Sequence, residues 1–170
     1  MLRAQCNDRE ALELLLTAVS PALDRYLSGL VGAADAEDVL QDVLLIIYKK
    51  LTLLEQPEVF RAWAYRIASR AAFRHLKKRN RWPAHARDDE ALDRLEAATA
   101  QPPPGDELRA LLATDAISPA SRAVLVLHFQ EELPLADVAA ILEIPLGTVK
   151  SRLSYGLSAL RQQLGRPRSV

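Results

Sequence analysis

The sequence predicts an all-α protein of two small helical domains joined by a flexible linker, and three observations predict it. Apolar residues recur three and four positions apart along nearly the whole chain, and no stretch alternates as a strand would. The periodicity fails in a run rich in Ala, Asp and Glu that ends in Pro102-Pro103-Pro104-Gly105, where no helix can continue. At 170 residues, 49% of them apolar, the chain holds one ordinary domain or two small ones with real cores.

Each element follows in order. Leu12, Leu15, Leu16 and Val19 form a first stripe, and Ser20 followed by Pro21 can cap and open a second helix through Leu30, with Gly29 and Gly32 marking its end. Asp35 can cap a third helix, with Asp38 at the third position and Val39, Leu40, Val43, Leu44, Ile46 and Ile47 as its apolar side. Pro57 opens a fourth, which carries Phe60, Trp63, Ile67, Ala71 and Leu76 inward and most of its basic residues outward. Between Pro83 and Glu107 the pattern weakens, which predicts a first domain over 1–82, a linker over 83–106 and a second domain over 107–170. Ser118-Pro119 opens a helix that buries Val124, Leu125 and Leu127. Leu135 to Leu142 reads as a short helix, Glu143-Ile144-Pro145 as a tight turn, and Leu146 to Leu164 as a longer helix striped by Val149, Leu153, Leu157 and Leu160. That is a helix-turn-helix pattern, whose second helix would lie in a DNA major groove.

The formal net charge of zero hides a segregation along the chain. The start is acidic, with Asp8, Glu10, Glu13, Asp24, Asp35, Glu37, Asp38 and Asp42. From Val59 to Arg87 there is no acid, while Arg61, Arg66, Arg70, Arg74, Lys77, Lys78, Arg79, Arg81 and Arg87 accumulate. Acid returns as Asp88, Asp89, Glu90, Asp93 and Glu96, and after Glu143 only Lys150, Arg152, Arg161, Arg166 and Arg168 carry charge. A solvated helix face mixes signs so that i,i+4 pairs form; like charges repel by a few tenths of a kcal/mol per close pair. A face of unmixed cations makes sense chiefly against phosphate, where neutralisation releases counterions.

Phe60, Trp63, Tyr65 and Phe73 lie among those cations, and rings interleaved with bases suit single-stranded nucleic acid, whose bases stack on them. The same rings can equally anchor a core. Phe60, Trp63, Ile67 and Phe73 are expected to be at least partly buried, and Tyr65 to be the more exposed. Two striped helices joined by a turn also occur in bundles that never touch DNA. Single Cys6 leaves no intramolecular disulfide and no Cys-rich zinc site, and points to a reducing compartment. No apolar stretch reaches the roughly 20 residues that span a bilayer, and the amino terminus lacks the order of a signal peptide, so a cytoplasmic protein is expected.

Three segments carry a family resemblance: Asp35-Ala36-Glu37-Asp38-Val39-Leu40-Gln41-Asp42-Val43, Phe60-Arg61-Ala62-Trp63-Ala64-Tyr65-Arg66-Ile67-Ala68, and Gly147-Thr148-Val149-Lys150-Ser151-Arg152-Leu153. In this order and at these separations, across almost the whole chain, they resemble the extracytoplasmic-function (ECF) RNA polymerase sigma factors of the sigma-70 family. The resemblance implies a sigma domain 2 bundle and a sigma domain 4 helix-turn-helix without a folded domain 3 between them. It implies that Asp38, Gln41, Asp42, Leu45 and Tyr48 dock on the clamp coiled coil of the largest polymerase subunit. Trp63 and Tyr65 would lie near unpaired bases of the -10 element, and Arg66, Arg70, Arg74, Lys77, Lys78 and Arg79 would face DNA. Melting costs a few kcal/mol per flipped base, so capture of extruded bases is what makes opening favourable. Thr148, Lys150, Ser151, Arg152, Ser154 and Tyr155 would read the -35 element or its flanking backbone. The acidic linker would thread the RNA exit path.

The chain departs from the family pattern in places. Arg70 and Arg74 stand where many members carry Asn and Asp, Glu143 fills a turn position often held by Gly, and Tyr155-Gly156 replaces a basic pair. Gly inside a helix costs about 0.5 to 1 kcal/mol relative to Ala, so close packing or a bend is expected near Gly156. The expected partners are core RNA polymerase, promoter DNA and an anti-sigma factor, with no cofactor and no catalytic activity. Two other readings stay open at this point: a dimeric helix-turn-helix regulator that works without polymerase, and a helical adaptor that holds only proteins. An enzyme fits least, since no Gly-rich phosphate loop, metal-ligand cluster or nucleophile motif appears and His75, His85 and His128 are scattered.

Overall fold

The computed structural model describes residues 1–6, 8–79 and 117–164. The expected linker over 83–106 and the expected start of the second domain lie outside these residues, as do Arg81, His85 and Arg87. Among the described residues every regular element is helical and none is a strand. Contacts divide the chain into two compact units, Met1–Arg79 and Asn80–Val170.

The first unit contains α1 (Leu2–Gln5), α2 (Arg9–Val31), α3 (Ala33–Lys50) and α4 (Phe60–Lys78), with 3-10 turns at Leu51–Leu53 and Pro57–Val59. Asp8 caps α2, its carboxylate accepting from the Ala11 N–H at 3.0 Å. The expected break at Ser20-Pro21 does not occur, and one helix runs through both residues. Ser20 Oγ donates to the Leu16 carbonyl at 2.6 Å instead of capping a new helix. Gly32 separates α2 from α3 by a single residue, with φ 87° and its N–H donating to the Ser28 carbonyl at 3.1 Å. That left-handed backbone suits Gly, since a Cβ would be strained there. Gly32 therefore stands at the start of α3, and Asp35 falls within its first turn rather than at its cap.

Helices α2, α3 and α4 pack against one another and bury Leu23, Leu27 and Leu30 of α2, Val39, Val43 and Ile47 of α3, and the inner face of α4. Each buried Leu contributes roughly 1.5–3 kcal/mol by the area it removes from water, as an upper estimate. Phe60, Trp63 and Ile67 are half-buried, which meets the expectation of partial burial, but with the exception of Ala71 and Leu76 the residues expected inward do not make the inner face of α4. It consists of Ala64, Tyr65, Ala68, Ser69, Ala72 and Leu76, joined at its edge by the expected Ala71. Small residues at helical spacing let α4 lie close against its neighbours. Tyr65 fills the remaining space edge-on to Tyr26, with ring centroids 5.4 Å apart at 87°. Ser69 Oγ donates to the Tyr65 carbonyl at 2.8 Å, which leaves the Tyr26 hydroxyl to donate to Ser69 Oγ at 2.6 Å. The buried hydroxyls thus satisfy each other.

The second unit contains α5 (Pro119–Leu125), a π turn (Val126–Gln130), α6 (Leu135–Leu142) and α7 (Leu146–Leu164). Ser118 caps α5 by accepting from the Ser121 N–H at 3.2 Å, with Pro119 in the first position as expected. Ala123, Val124, Leu125, Val126 and Leu127 are wholly buried, so the end of α5 and the start of the π turn are the centre of this core. Val138 and Ile141 of α6 and Val149, Leu157 and Leu160 of α7 close around it. Between α6 and α7, Glu143 takes the left-handed conformation at φ 56° and ψ 43°, and the Ile144 N–H donates back to the Ala139 carbonyl at 3.2 Å. Gly156 is buried against α5: a Cβ built on it would lie 2.7 Å from Leu125 Cδ1.

Candidate nucleic-acid interface

The outward face of α4 gathers most of the residues read from sequence as DNA-facing. Trp63, Arg66, Arg70, Arg74 and Lys77 follow one another at intervals of three or four and so share one face, with Lys78 beside them. Arg70, Arg74, Lys77 and Lys78 are exposed, while Trp63 and Arg66 are half-buried. Trp63 leans on Phe60, ring centroids 6.0 Å apart, which leaves an aromatic surface at the amino-terminal end of a basic stripe.

Two residues of this region depart from expectation. Tyr65 is 1% exposed and belongs to the core, so its ring offers no surface to a base. Its position among the small residues of the inner face decides this: its ring packs edge-on against Tyr26 of α2. The Arg61 guanidinium lies 5.8 Å from the Tyr65 ring centroid. Arg79, counted among the DNA-facing cations, instead pairs with Asp35 of α3. His75 Nε2 lies 3.3 Å from the same carboxylate. The Arg79 guanidinium foremost, with His75 beside it, holds the Asp35 carboxyl below its ordinary value of 3.8, against an opposing effect of desolvation. No local sequence signal shows this cluster, because 40 or more positions separate Asp35 from its partners.

On α3, Asp38, Gln41, Asp42, Leu45 and Tyr48 are all exposed and lie along one side of the helix. Leu45 is 50% and Tyr48 56% exposed, and they stand one turn apart on the same side of the helix. Acids precede this pair on the same side, so the face has an apolar middle and a negative edge.

On α7, Thr148, Ser151, Arg152 and Tyr155 sit at spacings of three, one and three and form a half-exposed face, with exposed Lys150 to one side. Ser151 Oγ donates to the Gly147 carbonyl at 3.1 Å. Ser154 does not join this face; it is 6% exposed and packs inward, which withdraws it from a groove. Among the described residues no helix is long and apolar enough to cross a membrane, and no group of three or more His, Cys, Asp or Glu is placed to hold a metal ion.

Comparison with known proteins agrees with this layout. The family model for sigma-70 region 2 matches residues 15–82, and that for sigma-70 region 4 matches residues 114–162. The chain is 30% identical over 152 residues to the ECF RNA polymerase sigma factor SigW of Bacillus subtilis, covering 76% of this chain and 75% of that protein. It is 27% identical to the RNA polymerase sigma-H factor of Pseudomonas aeruginosa, with 95% and 90% of the two chains covered, and 27% identical to the ECF sigma-E factor of Escherichia coli, with 93% and 88% covered. Among solved structures, the sigma factor RpoE of Bartonella quintana, in complex with the anti-sigma factor NepR, superposes with a TM-score of 0.68 at 24% identity, covering 94% of this chain and 99% of that one. CnrH, in complex with the cytosolic domain of CnrY, gives 0.61 at 22% identity, covering 96% and 93%. The chain belongs to the ECF RNA polymerase sigma factors of the sigma-70 family, and is a promoter-recognising, non-enzymatic factor that directs transcription initiation.

Proposed function

We propose that residues 1–82 act as sigma domain 2 and residues 107–170 as sigma domain 4, with the acidic segment 83–106 as the tether that occupies the RNA exit path of the polymerase. In this reading Asp38, Gln41, Asp42, Leu45 and Tyr48 bind the clamp coiled coil of core RNA polymerase. Trp63, Arg66, Arg70, Arg74, Lys77 and Lys78 engage and open the -10 element, with Trp63 as the ring available to an unpaired base. Thr148, Lys150, Ser151, Arg152 and Tyr155 read the -35 element. Tyr65, Ser154 and Arg79 have no direct part, because two are buried and the third is engaged within the fold.

The observation that carries this reading is the exposed face of α3. Half-exposed Leu45 and Tyr48 offer apolar area whose burial against a partner is favourable, and Asp38 and Asp42 select a basic one. The same surface would be a target for an anti-sigma factor, a reading supported by the two structural neighbours, one solved in complex with the anti-sigma factor NepR and the other with the cytosolic domain of CnrY. Its site of action would be the cytoplasm, where promoter and polymerase are.

The test combines the purified chain with core polymerase and genomic DNA, and maps the transcript starts. New starts sharing upstream motifs are expected. With Asp38→Ala and Gln41→Ala introduced together, core-polymerase affinity should fall at least about tenfold. Undiminished affinity would remove α3 as the docking helix.

A further inference from the structure

Arg79 presents a difficulty for a simple electrostatic picture of α4, since the last cation of the helix is turned away from the basic stripe. Arg79 and His75 are one helical turn apart; Arg79 bonds Asp35, on the first turn of α3, and His75 Nε2 lies 3.3 Å from the same carboxylate without a hydrogen bond. The carboxylate is 14% exposed, while His75 is 25% and Arg79 45% exposed, so the contact is sheltered but not sealed. The location is favourable on both sides. An acid at the amino end of α3 and bases at the carboxyl end of α4 each complement the helix dipole beneath them, and the two ends are brought side by side.

What this contact joins gives it a role. One turn beyond Asp35, α3 begins the face of Asp38, Gln41 and Asp42; immediately before Arg79, α4 carries Arg74, Lys77 and Lys78. The buried residues of the two helices include Ala36, Val39, Val43 and Ile47 of α3 and Ala64, Ala68, Ala72 and Leu76 of α4, apolar groups that resist separation without a directional bond. The charged contact is directional. It fixes the end of α4 in rotation and in register against α3.

We propose that Asp35 is a positioning residue, clasping Arg79, with His75 beside the pair, so that the DNA-facing stripe of α4 is held in fixed register with the polymerase-facing side of α3. This rests on the reading of those two faces given above. Arg79 then acts through Asp35 and not through phosphate. DNA pulled by Arg70, Arg74 and Lys77 transmits its load to α3 and thereby to the enzyme, and strand separation needs such a rigid frame. Loosening it costs orientation without removing a single DNA contact.

The test uses full-length protein bound to core polymerase, on the promoter recovered by transcript mapping, with permanganate reactivity of unpaired thymines as the readout. Asp35→Asn, Arg79→Gln and the double variant are compared at a temperature where circular dichroism shows all of them folded. Each single variant should reduce opening about tenfold while core-polymerase affinity is retained, as a misplacement without loss of contacts does. The double variant should be no worse than either single one, because both remove one coupling. Asp35→Glu, which keeps the charge, should recover most of the opening. Additive losses would show that Arg79 meets DNA directly and would overturn the proposal, as would an Asp35→Asn variant that opens the promoter like the wild type. Lys77→Glu serves as the separate control. If it leaves DNA affinity unchanged, the DNA-facing reading of α4 fails first, whatever Asp35 does.

Discussion

Gly156 and Asp35 illustrate how single residues hold the two units. Replacing Gly156 by Ala would gain about 0.5–1 kcal/mol of helix preference but place a methyl 2.7 Å from Leu125 Cδ1 and 3.3 Å from Leu125 Cγ. Leu125 is itself wholly buried and has nowhere to turn, so overpacking of about 1–3 kcal/mol outweighs the gain. Gly156→Ala is expected to lower the stability of the second unit by about 1 kcal/mol in urea unfolding. At Asp35 the prediction concerns pH. Its folded carboxyl titrates below the ordinary 3.8, so folding favours the ionised form; the stabilisation is present above that value and disappears as pH falls through the lowered one. The stability difference between wild type and Asp35→Asn should therefore shrink as pH falls below 3.8 and through the lowered value, followed by unfolding across a pH series. A difference that grew with acid would contradict the pairing with Arg79.

At the scale of elements, α3 makes the clearest prediction. Leu45→Ala and Tyr48→Ala remove exposed apolar area, so fold stability should change by no more than about 0.5 kcal/mol. Core-polymerase affinity should drop by about 1–2 kcal/mol for each, measured by fluorescence titration with labelled protein. Helices α6 and α7 were legible in the sequence, with both ends where the pattern puts them, because Pro145 and the four-residue stripe leave one arrangement. The break expected at Pro21 was not, because a Ser before a Pro reads as a cap, whereas inside a long helix the same hydroxyl bonds back to Leu16 and the missing proline N–H is tolerated. The inner face of α4 was misjudged for another reason. Large rings at helical spacing suggest a core, but Ala64, Ala68 and Ala72 bury the side that packs closest, and only Tyr65 among the rings goes with them. Of the candidate site, what depends on spacing along one helix was readable, and the cross-helix pairing of Asp35 with His75 and Arg79 was not.

For the whole molecule, a net charge of zero is compatible with DNA binding because the charges are sorted. Exposed Arg70, Arg74, Lys77 and Lys78 face outward on α4, while the acids of α3 lie on a different helix. Affinity of the polymerase-bound protein for promoter DNA should thus fall steeply with salt, by roughly 0.9 in log–log slope for each phosphate neutralised. Lys77→Gln combined with Lys78→Gln is expected to flatten that slope by about 2, and an unchanged slope would place both lysines away from the backbone.

The close approach of α7 to α5 sets a rule for anyone wishing to redirect this protein to new genes. Swapping in a foreign reading helix looks like a matter of choosing side chains at Thr148, Ser151 and Arg152, yet the graft is decided on the opposite, unread side. A donor segment that brings a side chain to position 156 would press on Leu125, so it should be grafted together with the residue its own fold carries at position 125, whatever sequence its front was designed to recognise.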